Sequence, residues 1–344
     1  MGARLAGSSP RSHPLARCRS AAGGKKPPEV ETKLIDLIRD DVAGDPVPGR
    51  RWLRRSLSKV QPAIGEAGHR LSRETIRRLL HQHDIRPKSN VKRLTPKEHP
   101  DRDRQFTYLQ SQRRFFERMR WPVISVDTKK KELIGPYKNA GQMWCEPAPT
   151  VYMHDFGNDA LGQAVPYGLY DVQPNLGSVY VGQSADTAEF AGDAIVWWWQ
   201  TYGCRLFPTA PAILILADGG GSNGWRPRRW KQQLQVKLAD ALGLTVTVSH
   251  YPTGASKWNP IDPRLFSQIS PTWAGTPLTS FEVMLDGIRN TTTTTGLKVE
   301  AILVEQPYQT GLKVSDDEMA SLALEKHDTC PDWNYTIRPR PGGK

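Results

Sequence analysis

The 344-residue sequence has no run of 18 or more apolar residues; its longest apolar stretches, such as AILILA at 212–217, are the length of a strand. A helix that crosses a bilayer needs about 20 such residues in succession, so a membrane span is excluded. Cysteine is scarce as well. Cys18, Cys145, Cys204 and Cys330 stand far apart with no C-x-x-C spacing. That argues against a zinc ribbon and a disulfide framework and points to a reducing cytosol. Residues 1–28 lack any acidic side chain and any apolar stretch of the kind a secretory signal carries. Rich in Arg, Ser, Gly and Pro, they read as a disordered or misassigned start.

What is present is a soluble composition, 38% hydrophobic and 24% charged, in a chain long enough for two ordinary domains. The net charge of +12 is unevenly spread. Residues 1–121 hold 28 Lys and Arg against 13 Asp and Glu, a balance of +15; the remaining 223 hold 19 against 22, a balance of −3. A basic front third ahead of a near-neutral remainder is the pattern of a nucleic-acid-binding region joined to a separate working domain. A merely solvated basic surface is the alternative.

From Glu29 to about Pro87 the pattern is helical. VETKLIDLIRDD spaces Val30, Leu34, Leu37 and Ile38 on one face, GDPVPG breaks it, and WLRRSLSKVQPAI reads as a second helix. After the turn GEAGH, LSRETIRRLLHQHDI reads as a third, with Ser72 as N-cap and Ile76, Leu79 and Leu80 inward. Two helices joined by a short turn, the second carrying Arg73, Arg77 and Arg78 outward, outline an all-α helix-turn-helix DNA-binding region over 29–90. Residues 91–120 read as a basic linker and the amphipathic helix QFTYLQSQRRFFERM.

After Trp121 and Pro122 strands begin. PVISVDT, VPYGLYDV, SVYVGQS, AILILAD and LTVTVSH read as strands, with TAEFAGDAIVWWWQTYG and RRWKQQLQVKLADALG as helices between them. The order predicts a mixed α/β sheet over 121–290. Residues 291–344 read as a C-terminal extension without assigned elements. Trp197, Trp198 and Trp199 read as helix packing.

Asp127 closes the first of these strands and Asp218 the buried one, just before GGGSNG, whose Ser222 and Asn223 add short polar groups. Carboxylates at strand ends are where α/β folds build sites. Two adjacent carboxylates raise each other's pKa, and a hard divalent cation such as Mg2+ or Mn2+ relieves that repulsion. Two such ions about 3.5–4 Å apart suit phosphodiester chemistry. Asp262, after LTVTVSH, can supply a third carboxylate, or it can be a helix cap ahead of Pro263. Spacing does not choose between the two.

SVDTKKKELIG, HDF at 154–156, VPYGLYDV, DTAEF, ADGGGSNG, HYPTGASKWNPIDPRLFSQIS, TTTTTGL, KVSDDEM and WNYTI resemble the bacterial insertion-sequence transposases known as Rhodopirellula transposases, of the DDE class. The resemblance runs in order from about Gly23 to about Ile337. It implies a ribonuclease-H-like catalytic domain in which Asp127 and Asp218 are the first and second catalytic, metal-binding carboxylates. The family's third acid is a glutamate in a stretch resembling WNPIEHRLF; Asp262 stands at that position here, followed by Pro263 instead of His. The aspartate is shorter by about 1.5 Å, misplacements of about 1 Å cost on the order of a hundredfold in rate, and a following proline biases Asp262 away from the helical region.

The resemblance also implies Mg2+ or Mn2+, two ions, and transposon ends and target DNA as partners. It further implies a homo-oligomer in the synaptic complex, working at the nucleoid in a bacterial cytoplasm. The ions would activate water to cut the ends, then the freed 3′-hydroxyl to attack target DNA. Lys129, Lys130 and Lys131 are placed for phosphates, and His250, Lys257 and Asn259 flank the third acid where DNA would lie. A catalytically impaired DNA-binding remnant and a metal-dependent nuclease are the other readings of the same residues.

Overall fold

A computed structural model describes residues 28–38, 42–45, 50–53, 56–83, 85 and 99–342. The expected disordered start (1–28) lies almost wholly outside the described residues, as does most of the linker before Arg102. The chain divides into two units, 1–93 and 94–344.

The first unit contains helices α1 (Pro28–Ile38), α2 (Leu57–Glu66) and α3 (Arg73–Gln82). Leu34 and Ile38 from α1, Val60 and Ile64 from α2, and Ile76, Leu79 and Leu80 from α3 share one buried core. Ser72 caps α3 by accepting the Thr75 N–H at 3.2 Å, as its position predicts. The unit is not purely helical. Strands β1 (Val42–Asp45) and β2 (Arg50–Leu53) pair antiparallel, so Trp52 and Leu53 belong to a strand and α2 begins only at Leu57. The prolines and glycines of GDPVPG break the helical pattern on both sides, which leaves the flanking residues free to pair as strands.

The second unit opens with α4 (Arg102–Met119), then β3 (Val123–Thr128), β4 (Glu132–Ile134), β5 (Gly162–Asp171) and β6 (Leu176–Gly182). Helix α5 (Ala188–Trp198) runs through a widened turn into α6 (Cys204–Leu206); β7 (Ala212–Ala217), α7 (Arg228–Gln233) and β8 (Thr245–His250) follow. After them come α8 (Ser267–Ile269), α9 (Phe281–Arg289), β9 (Lys298–Val304), α10 (Asp316–Ala320), β10 (Leu324–Lys326) and β11 (Asn334–Ile337).

The strands form one nine-stranded sheet in the order β10-β11-β8-β7-β3-β5-β6-β9, with β4 on β5. At its centre β3 pairs antiparallel with β5 and parallel with β7, β5 antiparallel with β6, and β7 parallel with β8. This is the expected ribonuclease-H-like mixed sheet. The C-terminal residues add β9 at one edge and β10 and β11 at the other, so the sequence from 291 onward completes the same sheet.

Apolar side chains cover both faces, as a sheet with parallel crossovers requires. On one face α5, α7 and the helical residues that follow α7 bury Phe190, Trp198, Trp230 and Leu234 against β5, β7 and β8. Trp197 and Trp199 pack at the margin of that core, in agreement with the packing role. On the other face Ile261, Leu265 and Phe266 pack with α9 over β5 and β6. Gly168 makes this second contact possible, because a Cβ there would lie 2.5 Å from the Phe266 ring and 2.9 Å from Ile261. No helix among the described residues is long and apolar enough to cross a membrane.

Candidate active site

Register places the first two acids side by side. In the parallel pair β3/β7, Val126 stands beside Ala217, and the next residue on each chain is an aspartate. Asp127 and Asp218 therefore emerge together at the C-terminal edge of adjacent strands, held by the most buried part of the sheet. They line a cleft of about 480 Å3 together with Asp186, Lys130, Lys131 and Arg226. Asp262 lines an adjoining cleft of about 490 Å3 with Lys257; Thr128, Lys129 and Lys130 form a wall common to both.

The acids feel one another. Burial pushes Asp127 up to about 7, Asp218 adds to the rise, and Asp262 and Asp186 add less, while the Thr128 N–H, donated to Oδ1 at 2.8 Å, opposes it. Burial raises Asp218 as well, against a hydrogen bond from Asn259 and with a further rise from Asp262. Asp262 is raised by burial.

Asp262 is not a cap. Its helical turn starts one residue earlier, at Ile261, and its side chain makes no capping hydrogen bond. It is helical in spite of Pro263, because a first-turn residue has no intrahelical acceptor to lose and the turn widens over Asp262–Phe266.

Among the described residues no three His, Cys, Asp or Glu side chains stand close enough together to hold a metal ion as they are. The donor chemistry nevertheless fits a hard divalent cation. Every charged donor is a carboxylate oxygen, burial and then the neighbouring Asp218 raise Asp127 to about 7, and Asp186 Oδ1 is buried without a hydrogen-bond partner.

The family model described as "Rhodopirellula transposase DDE domain" matches residues 33–339. The chain belongs to this family. It is a DNA transposase of the DDE class. Among solved structures it is similar to the "Mos1 transposase paired-end complex with left transposon end", at 15% identity over 78% of each chain with a TM-score of 0.38. It is also similar to the Mos1 mariner paired end complex with Mn, at 14% identity over 76% of this chain and 71% of that one, TM-score 0.38. No curated protein matches it.

Two residues of the transposase that sequence position assigned to DNA lie inside it instead. Asn259 is fully buried, donates from Nδ2 to Asp218 Oδ1 at 2.9 Å and accepts the Ser125 hydroxyl on Oδ1. His250 is also fully buried and held down to about 4 by that burial, hence neutral; its Nδ1 donates to the Asp218 carbonyl at 2.9 Å. Neither side chain is exposed at the surface. Lys129 is engaged by Glu132 at 2.8 Å and lies 4.9 Å from the Trp273 ring centre, so it builds the wall. Lys130, Lys131 and Lys257 are exposed.

Arg73, Arg77 and Arg78 are exposed on α3 of the first unit, with Arg77 paired to Glu74 at 2.8 Å and Arg73 donating to Gln61 at 3.1 Å. Ser222 Oγ is buried and unpartnered, and Asn223 donates to Tyr167 at 3.1 Å. Sequence reasoning missed Asp186, which precedes the α5 cap Thr187 and reads locally as part of a helix start. Ser125 was missed because nothing in PVISVDT separates it from its strand neighbours.

Proposed function

We propose that the transposase cuts and joins transposon ends at the cleft between Asp127 and Asp218, with Asp262 as third acid, using Mg2+ or Mn2+ and two ions. The observation that carries this is the pairing of β3 with β7. It sets two half-buried carboxylates side by side at the ends of adjacent strands, where burial first and Asp218 second lift Asp127 to about 7. A divalent cation bound there supplies stabilisation of charge at the scissile phosphate and a lower pKa for the attacking water or 3′-hydroxyl. Asp127 and Asp218 stand at the ends of adjacent paired strands, so the sheet holds their backbone positions. Lys130 and Lys131, exposed at the mouth of the cleft, and Arg226 beside them meet backbone phosphates, and Lys257 does the same at the Asp262 side.

The exposed arginines of α3 contact the element's ends. A homo-oligomer brings two ends together, and the protein works at the nucleoid in the cytoplasm. The test is a supercoiled plasmid carrying the ends, incubated with the protein and Mg2+ or Mn2+. Joined products are expected, and Asp127→Asn or Asp218→Asn abolishes cleavage while end binding persists; unchanged cleavage in either sinks the assignment. Release of cut but unjoined DNA identifies a nuclease. The impaired-remnant reading has one observation in its favour, the short reach of Asp262. Asp262→Glu therefore raises cleavage, by on the order of a hundredfold where the missing 1.5 Å or so limits the rate.

A further inference from the structure

The polar groups behind the cleft form a single chain with one direction. Ser125 lies two residues before Asp127 on β3, so the two side chains share a face of the sheet. Ser125 and Asn259 are both fully buried. The Ile261 backbone N–H, which can only donate, reaches Ser125 Oγ at 3.3 Å. The Ser125 hydroxyl in turn donates to Asn259 Oδ1. With its oxygen so occupied, the amide presents Nδ2 to Asp218 Oδ1 at 2.9 Å. A flipped amide would set a carbonyl oxygen against the carboxylate, with no proton between them. The Asn259 backbone carbonyl meanwhile accepts the Asp262 N–H at 3.2 Å.

Resting on the site assignment above, we propose that Asn259, oriented by Ser125, is the positioning residue of this active site. It fixes one oxygen of Asp218, leaves Oδ2 outside that bond, and ties the Asp262 turn to the strand that carries Asp127. Three segments far apart in sequence, around 125, 218 and 260, are thereby locked into one frame. Partners of this kind, one step removed from the ion, orient its ligands, and their loss costs about 10–100-fold in metal affinity or activity.

The test uses the full chain and Mn2+ alone as the probe. Binding is followed by the electron paramagnetic resonance signal of free Mn2+, and cleavage of end-carrying plasmid is titrated against Mn2+. Asn259→Ala and Ser125→Ala should weaken Mn2+ binding about 10–100-fold and raise the Mn2+ needed for half-maximal cleavage in parallel. Ser178→Ala, which removes a buried and unpartnered hydroxyl from β6, should leave both midpoints unchanged. Ser125→Ala deletes a single oxygen and keeps the test available where Asn259→Ala fails to fold. A merely structural role would lower the melting temperature without moving the Mn2+ midpoint of the folded protein. Unchanged midpoints in the folded variants, with Mn2+ bound normally by the unmodified chain, overturn the positioning role alone. Absence of Mn2+ binding by the unmodified chain overturns that role and the site assignment together.

Discussion

Replacing Asp127 by Asn should abolish cleavage and, at the same time, make the metal-free protein more stable at neutral and alkaline pH. The carboxyl is largely buried and its pKa is lifted from an ordinary 3.8 to about 7, first by burial and then by Asp218. Folding therefore favours the protonated form. The stability that this proton brings is fully present below about pH 4, falls as pH rises from about 4 to about 7, and is gone above that. A rise of about three pKa units corresponds to roughly 4 kcal/mol, at about 1.4 kcal/mol per unit, as the upper limit of the loss. Asn is uncharged and nearly isosteric, and its Oδ1 keeps the bond from the Thr128 N–H, so the variant escapes the penalty.

The measurement is urea or thermal unfolding of both proteins in chelator at pH 4 and pH 8. Equal stability is expected at pH 4. At pH 8 the variant should exceed the unmodified protein by up to about 4 kcal/mol, or roughly 8–16 °C in Tm for a unit of this size. Asp171, which burial also raises to about 7, titrates in both proteins and cancels in the difference. Mn2+ should reverse the order by stabilising the unmodified protein far more than the variant. Equal stability at pH 8, or a less stable variant, would refute the claim that Asp127 is held as an uncompensated acid awaiting a counter-charge.

Two further outcomes follow from the packing and from the charge of α3. Gly168→Ala places a methyl group 2.5 Å from Phe266, which should cost about 1–3 kcal/mol in unfolding experiments and shift the Asp262 turn enough to slow cleavage; full activity at full stability would show that this packing does not set the third acid. Alanine at Arg73, Arg77 and Arg78 together should flatten the dependence of log Kd on log salt by about 0.9 for each phosphate that is no longer neutralised, read by fluorescence anisotropy on end-containing duplex, and an unchanged slope would move end recognition elsewhere.

Local pattern made much of the central sheet legible. AILILA is a strand because it is apolar throughout, and VPYGLYDVQPNLGSVYVG is a pair because a turn rich in Pro, Asn and Gly separates two β-branched and aromatic runs. The edges were not legible in the same way. Strands β10 and β11 hold three and four residues, too few for a period to show, and β9 is defined by a parallel pairing with β6 more than a hundred residues earlier.

The site divides along the same line. Asp127 and Asp218 announce themselves by ending apolar strands, whereas Asn259 is a polar residue in a Trp-Asn-Pro loop and reads as exposed until Asp218, 41 residues away, is seen to meet it. Asp262 is the sharpest case, since its local signal, an aspartate before a proline, favours a cap and its family position favours a ligand. Those readings compete only if the helical turn begins at Asp262. It begins at Ile261, whose N–H is spent on Ser125 and whose side chain is seated against the space left by Gly168. The start of the turn is thus fixed by the core and by the Ser125–Asn259 chain, no capping bond is asked of the Asp262 carboxylate, and that side chain is left to the cleft.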